Sequence, residues 1–116
     1  MIYHITEKLS WEGAQEKGKY TAPSLELEGF IHCSTREQIV QTANNFYKGQ
    51  QDLVLLCIDE DSVTDVLKYE APVASNDPGA GLLFPHVYAP IDLASVYKVV
   101  DFPCESDGSF RLPETL

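Results

Sequence analysis

The feature that most constrains this chain is the unbroken apolar run Leu53-Val54-Leu55-Leu56-Cys57-Ile58. Side chains alternate between the two faces of a strand, so a strand that is apolar at every position must be covered on both sides. The run therefore predicts a central strand over Asp52 to Ile58, with further layers above and below it. At 116 residues and 44% hydrophobic composition, the chain fits one domain with material enough for such a core.

Other segments supply candidates for those layers. Ile2 to Thr6 reads as an opening strand with Ile2, His4 and Thr6 on one face. Ser10 is placed to cap a short helix ended by Gly18, and Thr21 to Gly29, with its proline and glycine, reads as a loop before a strand over Phe30 to Cys33. Ser34 and Glu37 have capping-box spacing, and Ile39, Val40, Ala43, Phe46 and Tyr47 follow at helical intervals up to Gly49. Asp59 to Ser62 suggests a turn with a single helical turn, and Leu67 to Ala71 a further strand. Asp77-Pro78-Gly79 fits a type II turn. Leu83 to Tyr88 is expected to be extended and Val96 to Phe102 to close the sheet. The fold class is α+β, with one domain over residues 1–104 and a peripheral tail over 105–116.

Charge narrows the functions. Eight Lys and Arg against 18 Asp and Glu give 8 − 18 = −10, which repels phosphate backbones and anionic membranes. Nucleic acid and membrane partners are disfavoured, and no apolar run approaches the roughly 20 residues that span a bilayer. Cys33, Cys57 and Cys104 are odd in number, widely spaced and without a CxxC motif, which reads as reduced thiols in a cytoplasmic setting. A monomer or weak dimer is expected.

The chemistry-bearing residues are three histidines, each with a hydroxyl two positions downstream: His4 with Thr6, His32 with Ser34, and His86 with Tyr88. On a strand those pairs share a face, an arrangement suited to a polar pocket, although a lone histidine in an apolar strand is commonly a satisfied core residue. Imidazole is matched to proton transfer near neutral pH, so His4, His32 and His86 are the catalytic candidates. Three imidazoles and a water would make a zinc shell, but no H-x-x-x-H or H-E-x-x-H spacing occurs and no metal is expected. Cys33 points away from His32 and reads as a core residue. Glu70 reads as a solvated edge charge in preference to a pocket base, and Arg36 as either an anion contact or a solvated side chain.

The combination of His4 in a first strand, Gly29-Phe30-Ile31-His32-Cys33-Ser34, Gln38, Ala43-Asn44-Asn45-Phe46-Tyr47 and Phe84-Pro85-His86-Val87-Tyr88 resembles the family known as domain of unknown function 952, from Met1 to about Phe102. That family is similar to compact ADP-ribosyltransferase-like proteins, which implies a split pair of small, mostly antiparallel sheets with two short helices around a cleft for NAD. The resemblance implies that His4 binds the nicotinamide-side ribose and His32 lines the nicotinamide pocket. Where that group commonly carries a glutamate, this chain has His86. A nucleotide would be held by His4, Thr6, His32, Ser34, Arg36 and Tyr88, with NAD as possible substrate and the acceptor left open. The RNA 2'-phosphotransferase branch also uses two histidines, but it relies on several arginines where this chain has only Arg36 and Arg111. Three functions follow as expectations: an NAD-using transferase, a nucleotide-binding module without turnover, and a His-ligated metal hydrolase.

Overall fold

The run Leu53–Ile58 forms β4, and all six of its side chains are buried. This is a computed structural model, and it describes residues 1–72 and 82–116. β4 lies between β1 (Ile2–Glu7) and β8 (Val96–Asp101) in an antiparallel sheet of order β1-β4-β8. Its even-numbered residues Val54, Leu56 and Ile58 join one apolar cluster with Ile31, Val87 and Ile91. Its odd-numbered residues Leu53, Leu55 and Cys57 join a second with Ile39, Ala43, Val100 and Phe102. Burying each such side chain contributes about 1.5–3 kcal/mol, so both covering layers are required.

The first layer is built from α1 (Lys8–Lys17), α2 (Pro23–Glu28) and two small antiparallel sheets. One sheet pairs β2 (Lys19–Tyr20) with β7 (Ile91–Asp92). The other has the order β3-β6-β5, from β3 (Ile31–His32), β5 (Leu67–Glu70) and β6 (Phe84–Val87). The second layer is α3 (Ile39–Phe46) with the C-terminal segment. The chain is thus an α+β protein, as its sequence predicts.

Several boundaries differ from the sequence reading. Helix α1 begins at Lys8, not at a Ser10 cap, because β1 stays paired to Glu7 opposite Leu53 and the Lys8 amide donates to Asp52 O at 2.8 Å. The segment read as a loop over Thr21 to Gly29 contains α2, with Pro23 in its first turn and Gly29 at φ 92° closing it; proline and glycine here delimit a helix. The Ser34–Glu37 capping box does not form, since Ser34 exchanges two backbone hydrogen bonds of 2.8 Å with Tyr3. Half of a box forms one residue on: the Thr35 amide donates to Gln38 Oε1 at 3.0 Å, while the Gln38 amide donates to the Thr35 backbone carbonyl. Helix α3 ends at Phe46, and a 3-10 helix runs from Glu60 to Val66, longer than the single turn expected. The Asp77-Pro78-Gly79 turn lies outside the described residues. Among the described residues no helix is long and apolar enough to cross a membrane.

The residues after Glu105 are mostly exposed, as expected of a peripheral tail, but one of them, Phe110, reaches the core. Phe110 is buried with its ring 4.8 Å from that of Phe102, and its amide donates to Asn44 Oδ1 at 2.7 Å. Phe110→Ala should therefore destabilise the fold by about 3–5 kcal/mol, read as a lowered urea midpoint with little change in slope. An effect below about 0.5 kcal/mol would mean that the segment packs loosely.

Candidate functional site

A cleft of about 890 Å³ opens between β1, the β3–β6 pair and α3, and His4, Thr6, His32, Ser34 and His86 all line it. The three histidines converge because β1 bridges to Ser34 through Tyr3, while His32 and His86 stand directly opposite each other in the β3–β6 register. Their rings lie 5.5 Å apart, edge to face. Arg36 is exposed, and neither it nor Tyr88 is among the lining residues.

His4 forms the buried floor. Its Nδ1 lies 2.5 Å from His32 O, which can only accept, so Nδ1 carries the proton. Its Nε2 lies 2.7 Å from the Tyr20 hydroxyl, which in turn lies 2.9 Å from Thr6 Oγ1. Burial lowers the His4 pKa from 6.5 to about 4, so the ring is neutral at pH 7. Its Nε2 then accepts a hydrogen bond from the Tyr20 hydroxyl, whose single proton is thereby engaged, so the Tyr20 oxygen accepts from the Thr6 hydroxyl. Burial likewise pushes Tyr20 up to about 12 and keeps it protonated. Because both His4 nitrogens are engaged, a direct hydrogen bond from this ring to a ligand would have to displace one of these partners.

His86 is the better placed for proton transfer. On the β5–β6 pair, Glu70, His86 and Tyr88 share a face, as alternation requires. Glu70 Oε1 accepts from His86 Nδ1 at 2.9 Å and, through a very short contact, from the Tyr88 hydroxyl. The Tyr88 hydroxyl first, and His86 second, hold the Glu70 carboxyl below its usual range, and the same carboxylate raises Tyr88. Glu70 is therefore not the solvated edge charge that its sequence context suggested. With its proton fixed on Nδ1 by a carboxylate, neutral His86 has its lone pair on Nε2, the arrangement of a general base. The ring is buried and stacked on Phe30, with centroids 4.0 Å apart and planes 17° from parallel.

His32 stands at the rim, half-exposed, with Nε2 donating to Glu28 Oε2 at 2.9 Å. Its expected neighbour Ser34 also lines the cleft, but its hydroxyl bonds elsewhere, donating to Thr42 Oγ1 at 3.2 Å. Cys33 is buried in the core as expected, where burial raises its thiol pKa. Among the described residues no group of three or more His, Cys, Asp or Glu side chains is arranged to hold a metal ion.

The sequence reading missed Tyr20, because a two-residue strand leaves no periodic signal. It also missed the stripe Gln38, Gln41, Thr42 and Asn45, which α3 presents to the cleft. The spacing i, i+3, i+4, i+7 was legible; only the apolar half of that helix was followed.

A histidine whose folded pKa is depressed contributes stability that is full above 6.5 and lost as pH falls toward 4. Wild-type unfolding free energy should drop by up to about 3 kcal/mol across that window, and His4→Gln should flatten the slope there. Denaturant titrations at stepped pH check this, and parallel curves for the two proteins would show that His4 is not the titrating group.

The sequence profile described as "Protein of unknown function (DUF952)" matches residues 5–99. The crystal structure of protein CC0527 from Caulobacter crescentus is similar to this fold with a TM-score of 0.83 at 33% identity, over 96% of this chain and 93% of that one. The solution NMR structure of CC0527 gives a TM-score of 0.81 at 33% identity, over 99% and 95% of the two chains. No curated protein matches this chain. With a profile match over most of its length and a shared fold at this identity, the chain belongs to the DUF952 family.

Proposed function

We propose that the cleft binds a ribosylated nucleotide of the NAD or ADP-ribose class, and that His86, oriented by Glu70, exchanges a proton with the acceptor. The observation that carries this reading is the Glu70–His86 pair at the wall of a cleft of about 890 Å³, a volume suited to a small organic ligand. Hydroxyls of Thr6, Tyr20, Ser34 and Thr42 offer contacts for ribose, and His4 serves to position Tyr20 and Thr6. His32 and its Glu28 partner lie at the rim, where a cationic pyridinium would meet the carboxylate.

In the reaction so proposed, an acceptor hydroxyl gives its proton to His86 Nε2 as its oxygen bonds to ribose C1′. The C1′–N bond breaks, and its electron pair neutralises the departing pyridinium as nicotinamide. No metal takes part. Arg36 and Tyr88 have lesser roles in this scheme: Arg36 lies outside the cleft lining, and Tyr88 acts through Glu70.

The test is a titration of ring-labelled protein with NAD and with ADP-ribose, with nicotinamide release followed in the same sample. Shifts of the His32 and His86 resonances accompanied by release are expected. His86→Asn, which keeps a donor toward Glu70 and removes the base, should slow release by about 100-fold or more with little change in affinity. Shifts without release would identify a binding module, and no shift at millimolar ligand would end the nucleotide reading.

A further inference from the structure

The cleft has a charge pattern that bears on which form of a ribosylated ligand it takes. Its lining contains Glu7, Glu28 and Glu37 and no Lys or Arg, in a chain of net charge −10. A phosphate placed there would meet carboxylates with no Lys or Arg among the described lining residues to balance them, His32 being already bonded to Glu28, in a recess where screening is weaker than in open water. The cleft is far from nonpolar, however, because α3 turns the uncharged stripe Gln38, Gln41, Thr42 and Asn45 toward it.

Two of those side chains form a matched pair. Gln41 Nε2 donates to Asn45 Oδ1 at 2.9 Å, which occupies one amide nitrogen and one amide oxygen. Whichever way the two amides are turned, such a bond leaves one carbonyl oxygen and one NH2 group for a ligand, adjacent and of opposite sense. That is the complement of a carboxamide or of the amide edge of a nucleobase, which also presents one donor beside one acceptor. Gln38 differs: its amide donates to Leu83 O at 2.7 Å and accepts from the Thr35 amide, so it is structural. Thr42 and Ser34 lie deeper, at the place for sugar hydroxyls.

We infer that the preferred ligand is an unphosphorylated ribonucleoside with an amide-bearing base, read by Gln41 and Asn45, and that Glu7, Glu28 and Glu37 select against its phosphate esters. This rests on the nucleotide reading above and narrows it: the ribosyl-base end enters the cleft, and a 5′-phosphate such as that of NAD weakens binding without abolishing it.

The experiment is calorimetric titration of the full chain with nicotinamide riboside and with inosine, each beside its 5′-monophosphate, at low and at high salt. The nucleoside should bind at least about tenfold more tightly than its phosphate at low salt, with the gap narrowing at 0.5 M salt, where the Debye length falls to roughly 4 Å. Glu28→Gln with Glu37→Gln should narrow it too, by strengthening binding of the phosphate. Gln41→Leu with Asn45→Leu should weaken nucleoside binding by about tenfold or more at an unchanged melting temperature. If the phosphate binds as tightly as the nucleoside, and still shifts the cleft histidines, the selectivity proposal is overturned while the nucleotide reading stands. If neither form binds, both fall.

Discussion

The structure depends on burying both faces of β4. A six-residue strand with no polar side chain must be covered twice, and its alternation assigns Val54, Leu56 and Ile58 to one cluster and Leu53, Leu55 and Cys57 to the other. The elements on either side are held in place by this demand. The cleft arises where the cover runs out: on β1, which pairs with β4, Ile2 joins the apolar cluster, while His4 and Thr6, further along the same face, turn polar and line the cleft.

Burying a polar floor beside an apolar core is costly unless every group is paired. Among the described residues no buried side-chain nitrogen or oxygen lacks a partner. The chain from Thr6 through Tyr20 and His4 to the His32 carbonyl meets this condition with neutral groups alone. The second network, Tyr88–Glu70–His86, uses a charge, and Glu70 is correspondingly left partly open to solvent. The two networks divide the work: His4 is locked through both nitrogens, and among the described residues His86 is bonded through Nδ1.

Much of this was legible in the residues. The apolar run of β4, the helical spacing of Ile39, Val40 and Ala43, and the alternation that sends His32 outward and Cys33 inward depend on local periodicity, which a sequence displays directly. Convergence of His4, His32 and His86 in one cleft is not decided by their shared context or their spacing, because it is set by the β3–β6 register and the bridge between Tyr3 and Ser34. The partners of the histidines were the least legible. Thr6 and Tyr88 do belong to the networks of His4 and His86, but each connection passes through a residue remote in sequence, Tyr20 or Glu70. Ser34 was drawn instead to Thr42. Proline and glycine around α2 misled for another reason: the same residues that break helices also delimit short ones.

The position of β4 in the chain also bears on synthesis. Its strand partners lie near residue 4 and near residue 99, and the far face of its core is closed by Phe110. These are long-range contacts, whose loop-closure cost slows folding. A ribosome making this protein holds the most aggregation-prone segment, Leu53 to Ile58, about fifty residues before the last piece that buries it has been made. Closure of the second cluster therefore waits until Phe110 has left the ribosome, and the net negative charge of the chain opposes self-association until then.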